Sequence, residues 1–67
     1  MIAMRFGDLP ISSRFFGASE NGQVKGPAYR KTKTQYVLKI GLYTNAREEE
    51  SGKSVKFGAS RVIYVIS

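Results

Sequence analysis

The chain's strongest chemical constellation is Tyr29-Arg30-Lys31-Thr32-Lys33-Thr34-Gln35-Tyr36, three cations between two tyrosines. On a strand, alternation would put Tyr29, Lys31 and Lys33 on one face. Cations at that spacing can each meet a phosphate, and a tyrosine ring can stack on an unpaired base. The competing reading makes Tyr29 and Tyr36 core residues and leaves the cations to solvate the outer face. Arg14, Lys25 and Lys39 would extend the patch. The expected nucleic-acid-binding set is therefore Tyr29, Arg30, Lys31, Lys33, Tyr36, Lys39, Arg14 and Lys25.

Other chemistry is limited by what is missing. Cysteine, histidine and tryptophan are absent, so disulfides, zinc fingers and Cys–His or Ser–His nucleophiles cannot be built. Glu48-Glu49-Glu50 are consecutive and point in different directions on any regular element, so they converge poorly on a metal. They read as a solvated loop that repels DNA or docks a basic surface. Asp8 is expected to accept from backbone amides in the Gly7–Pro10 turn. Ser12, Ser13, Ser19 and Ser60 lack a histidine base. A Ser–Lys arrangement with Lys25 or Lys56 would need a cleft that so short a chain has little room for. No G-x-G-x-x-G or P-loop is present. The expectation is a non-enzyme, with no catalytic residue, no metal and no cofactor.

The elements that must position the basic segment are short. With 67 residues the chain is one domain at most. At 42% apolar and 12% aromatic it is globular in composition. A chain of this size buries only about 60% of its unfolded surface and here has no disulfide or metal staple. A closed β-barrel or a core shared between copies would solve that problem.

Helical periodicity is absent from every window of ten residues or more. Asn45-Ala46-Arg47-Glu48-Glu49-Glu50 is the only helix-friendly stretch, with Asn45 as cap and Gly52 as stop. Strand signals are stronger. Ile2, Met4 and Phe6 alternate inward, Gly7–Pro10 turns the chain, and Arg14-Phe15-Phe16 is a short strand. Asn21-Gly22 predicts a type I′ hairpin folding residues 14–19 onto residues 24–31, with a bend at Gly26-Pro27.

Tyr36 to Tyr43 reads as the clearest strand, followed by a polar loop over 44–54. Val55-Lys56-Phe57 is a further strand, and Gly58-Ala59-Ser60 a turn. The last strand, Arg61 to Ile66, is apolar on both faces, so it is either central or meets a partner chain. Phe16-Gly17-Ala18-Ser19 recurs as Phe57-Gly58-Ala59-Ser60, which reads as shared turn chemistry rather than a duplicated site. Five or six such strands predict an all-β fold, a small SH3-like barrel, with an OB-like barrel or a small antiparallel sheet in an oligomer as alternatives.

Phe6-Gly7-Asp8-Leu9-Pro10, Arg14-Phe15, Tyr29-Arg30-Lys31-Thr32, Lys56-Phe57-Gly58 and Val62 to Val65 together resemble a group of small uncharacterised phage and bacterial proteins. Those chains open with Phe-x-Asp-Leu-x-x-Gly-x-x-Phe, continue with a Tyr-x-Lys-Thr strand and close with a Phe-Gly turn before a Val-rich strand. Ser12 or Ser13 stands here where a Gly is usual. The resemblance implies a small β-barrel from a mobile element and carries no assigned activity.

Charge completes the expectation. Lys and Arg number 11 against 5 acidic residues, for a net charge of +6. Residues 1–46 hold +5 of it. Such an excess suggests an anionic partner, DNA or RNA, or else an acidic host protein. The longest apolar run is five residues, Val62 to Ile66, and Arg5 and Asp8 break any leader-like stretch, so a cytoplasmic address and no membrane partner are expected. The alternative function is a protein–protein module, such as a phage-encoded modulator of a host protein or an assembly component. A homo-oligomer would form through the Arg61–Ile66 strand.

Overall fold

A computed structural model describes residues 1–36 and 42–66. Its strands are β1 (Ile2–Arg5), β2 (Arg14–Glu20), β3 (Gln23–Tyr36), β4 (Tyr43–Glu48), β5 (Ser54–Val55) and β6 (Val62–Val65). Phe6–Asp8 forms a single 3₁₀ turn after β1, where the sequence suggested a strand end running into a turn. The fold is all-β: one six-stranded antiparallel sheet in the order β1-β6-β2-β3-β4-β5.

The β2–β3 hairpin follows its turn residues. Asn21 (φ 53°) and Gly22 (φ 78°) both sit in the left-handed region, as a type I′ turn demands, and Glu20 pairs with Gln23 across it. On the return strand, Phe16 pairs with Ala28 but Ala18 pairs with Lys25, so β3 carries one extra residue at Gly26-Pro27. Gly26 takes φ 85°, and Pro27 has no N–H for a ladder to lose. Further along, Lys31 pairs with Ala46 but Gln35 with Thr44, leaving two extra residues on β3. Two irregularities let one long strand serve β2 with its first part and β4 with its second.

Four expectations are corrected. Tyr36 and Tyr43, expected at the two ends of one strand, are register partners on antiparallel strands β3 and β4; residues 37–41 lie outside the described residues. The expected 44–54 loop, with its helix-friendly Asn45–Glu50 stretch, is largely β4 and the turn into β5. Ala46 is buried there against the core and Asn45 is buried by hydrogen bonds, and this packing overrides local propensity. The Val55–Phe57 strand is shorter than expected, at Ser54–Val55. Among the described residues the barrel does not close by strand pairing, since β1 and β5 are the ends of the sheet and β5 has only two residues.

The segments that follow those two edge strands nevertheless meet. The Phe6 ring stacks on Phe57 at 5.4 Å between centroids, and the Gly7 amide donates to the Ala59 carbonyl at 2.9 Å. A Cβ on Gly7 would lie 3.1 Å from that carbonyl oxygen, so a larger residue there requires the Ala59 backbone to shift by a few tenths of an ångström. Phe6, Leu9, Phe15, Ala46, Phe57 and Ile63 form the buried core, with Met4, Tyr29, Val55 and Val65 packed against it. Met4 and Phe6 turn inward as expected, but Ile2 remains half exposed at the sheet's edge. β6 lies between β1 and β2, with Ile63 buried on its inner face and Val62 half exposed on its outer face. The echoed tetrapeptides play different parts: Phe16 sits within a strand, half-buried, whereas Phe57 is buried in a loop.

Asn45 closes this core. Its Nδ2 donates to the Phe57 carbonyl and its Oδ1 accepts from the Phe57 amide, both at 2.8 Å. The side chain thus acts as a strand partner for one residue. Asn45→Ala leaves a buried N–H and C=O without partners, so chemical denaturation is expected to show a loss of about 3 kcal/mol, given about 1–3 kcal/mol per orphaned group. A loss under about 0.5 kcal/mol would contradict this role.

Candidate functional site

Register partners on a sheet project from the same face. Arg14 on β2 pairs with Arg30 on β3, and Arg30 pairs with Arg47 on β4. Three guanidinium groups therefore form a row across three neighbouring strands. The core-facing partners are Phe15 and Tyr29, one residue along, so the arginine row lies on the outer face. Phe16 and Tyr64 are register partners on that same face and are both half-buried. Arg5, beside Val62 on β1 and β6, adds a fourth cation to it. The Arg14 guanidinium lies 5.7 Å from the centre of the Phe16 ring.

One carboxylate sits in the row. Arg14 Nε donates to Glu49 Oε1 at 2.6 Å, and an Arg30 terminal nitrogen donates to Glu49 Oε2 at 3.2 Å. The other Arg30 terminal nitrogen donates to the Ser12 carbonyl at 2.8 Å. The hydrogen bond from Arg14, helped to a lesser degree by its charge and by Arg30, holds the Glu49 carboxyl below its ordinary pKa against an opposing effect of desolvation. Among the described residues Arg47 has no acidic partner. A hollow of about 300 Å³ opens between Arg30, Thr32, Arg47 and Glu49.

The eight sequence-predicted site residues are dispersed. Arg14 and Arg30 come together in the row. Tyr29 faces the opposite way, stacked on Phe15 at 5.6 Å and edge-on to Phe57 at 5.0 Å. Lys31 shares that inner side: its Nζ donates to the Phe6 and Leu9 carbonyls at 2.9 and 2.6 Å and lies 4.5 Å from the Phe6 ring centre. It therefore ties down the 3₁₀ turn. Lys33 is exposed on the second irregular stretch of β3. Lys25 pairs with Glu20 at the hairpin tip, far along β2 from Arg14. Tyr36 is 78% exposed and meets Tyr43 edge-on at 6.1 Å. It borders a separate cleft of about 380 Å³, reached also by Lys31, Thr34 and Asn45. Lys39 lies outside the described residues.

Sequence reasoning missed Arg47, Phe16, Tyr64 and the bridging role of Glu49. Arg47 and Glu49 fell in a presumed loop, and the two aromatics looked like ordinary strand residues. The available signal was alternation itself: Arg14 and Phe16 stand two apart and flank Phe15, which marks an outer face once Phe15 is placed inside. Among the described residues no group of three acidic side chains could hold a metal ion. No described helix is long and apolar enough to cross a membrane. No protein-family model, curated protein or solved structure matches the chain.

The Glu49 pairing has a pH signature. A carboxyl with a depressed folded-state pKa contributes stability at neutral pH and loses it as pH falls through that folded value. The Glu49 side-chain carboxyl carbon, followed by NMR, is expected to titrate at lower pH in the native protein than in Arg14→Ala. Equal midpoints would mean that the ion pair is absent in solution.

Proposed function

We propose that this protein binds nucleic acid, without catalysis, on the outer face of its sheet. The observation that carries the reading is the Arg14–Arg30–Arg47 row lying beside Phe16 and Tyr64. A row of guanidiniums at strand spacing offers contacts to successive phosphates, and flanking aromatic rings offer stacking surfaces to unpaired bases. Like charges directly opposite one another destabilise a ladder, so an anionic ligand would relieve the Arg30–Arg47 pair. Lys33 is exposed further along β3, whereas Tyr36 borders the separate cleft that Lys31 reaches from the inner side. Lys31 and Tyr29 support the arginine face from the inner side.

The meeting of the Phe6 and Phe57 segments supports a partly open barrel of the SH3-like or OB-like kind as the scaffold. The resemblance to small phage and bacterial proteins supports a mobile element as its source.

If the four arginines of the face, including Arg5, meet phosphates of a single strand while Glu49 offsets one of their charges, log affinity should fall with log salt at a slope of roughly −2. A fluorescence titration with a labelled oligonucleotide measures it. Arg30→Glu with Arg47→Glu should reduce affinity at least tenfold at low salt while the thermal melt stays cooperative. Absence of wild-type binding at low salt, or a slope near zero, would sink the proposal.

A second reading, docking to a protein, draws on Ile2, Val62 and Ile66, which are each about half exposed near the β1–β6 end. β6 is interior, so a homo-oligomer through it would use its outer face rather than its edge. An acidic host protein would use the arginine row. A pull-down repeated with nuclease separates the two readings: capture lost on nuclease treatment supports nucleic acid, and capture that survives supports a protein partner.

A further inference from the structure

We propose that Glu49 occupies a phosphate-binding site, so that the chain's own carboxylate holds the place a ligand phosphate takes between Arg14 and Arg30. The inference rests on the reading above only for the source of the phosphate, a nucleic-acid strand. The site itself stands on geometry.

Each Glu49 oxygen is taken by a different arginine, at 2.6 and 3.2 Å, so the carboxylate bridges two guanidiniums as a phosphate does. Arg30 does not depend on Glu49 for its position, because the Ser12 carbonyl holds its other terminal nitrogen at 2.8 Å. Most of the donor capacity remains. A guanidinium has five N–H groups, and among the described residues Arg14 uses one with Glu49 while Arg30 uses one with Glu49 and one with Ser12. The hollow of about 300 Å³ beside Arg30 and Arg47 gives an incoming phosphate a place to arrive. Glu49 can leave without unfolding its turn. Its backbone amide stays bonded to the Ala28 carbonyl at 3.0 Å, and the Glu48 carbonyl and amide are held by Gly52 and Lys53. The lowered pKa of Glu49, set first by the hydrogen bond from Arg14, reports the same donors that a phosphate would meet.

Binding is then an exchange of one anion for another. Glu49 keeps affinity low and the salt dependence shallower, because it already offsets one of the two positive charges of Arg14 and Arg30. Phosphate must outcompete a carboxylate that is always present, which favours strands offering several phosphates at once over isolated anions.

The test compares wild type, Glu49→Gln and Glu50→Gln, using sodium tripolyphosphate and a labelled single-stranded oligonucleotide as separate probes. Glu50→Gln makes the same change in net charge next door. Glu49→Gln is expected to bind both probes on the order of tenfold more tightly at low salt, with an oligonucleotide salt slope steeper by about 0.7, one further phosphate. Glu50→Gln should change little. Tripolyphosphate binding that is unchanged or weakened in Glu49→Gln, or equally strengthened in Glu50→Gln, overturns the site. Tighter tripolyphosphate binding in Glu49→Gln with no oligonucleotide binding by any variant upholds the site and refutes the nucleic-acid reading.

Discussion

The fold turns on how Phe57 is held. Its ring touches Phe6, Phe15 and Tyr29 at centroid distances of 5.0–5.4 Å, and the Arg61 guanidinium lies 4.6 Å from its centre. A residue in a loop would ordinarily be free to move, and a buried loop backbone would leave polar groups unpaired. Asn45 removes both difficulties by giving the Phe57 backbone one donor and one acceptor. Beyond the two-residue β5, the sheet therefore continues through a side chain. In a chain with no disulfide, a handful of such contacts replaces a covalent staple, and the three buried phenylalanines supply most of the large apolar surface that is hidden.

The inner and outer faces divide the cations by role. Lys31 has its ammonium against the Phe6 ring and two carbonyls, where its charge is matched by dipoles. One residue away, Arg30 faces outward toward two other arginines and a glutamate. The even-looking run of basic residues in the sequence is thus two sets with opposite duties. The face that carries the arginines sets three guanidiniums in a row against one glutamate, so it keeps a positive excess.

Local chemistry was legible where it acts alone. Asn21-Gly22 announced its hairpin because only positive φ fits that turn, and Gly26-Pro27 announced an irregularity because neither residue suits a regular ladder. The all-β class followed from alternation. What could not be seen was set by partners distant in sequence. Asn45-Ala46-Arg47-Glu48 has little strand propensity and becomes β4 because β3 and Phe57 lie on either side of it. Closure was expected from size and composition, but it depends on edge strands long enough to pair, and here β5 is too short. The site suffered likewise. Sequence adjacency grouped Tyr29, Arg30, Lys31 and Lys33, whereas the sheet groups Arg14, Arg30 and Arg47 across strands.

The pairing of β1 with β6 has a consequence for how the chain reaches its fold. Among the described residues Ile2–Arg5 pairs only with Val62–Val65, so this strand waits for a partner far along the sequence. Until then its apolar residues and open backbone groups face solvent, and contacts of such long sequence separation form slowly. The hairpin of β2 and β3 can assemble meanwhile, because its turn is local. Until the two strands meet, the unpaired β1 is open to nonspecific association, which competes with folding.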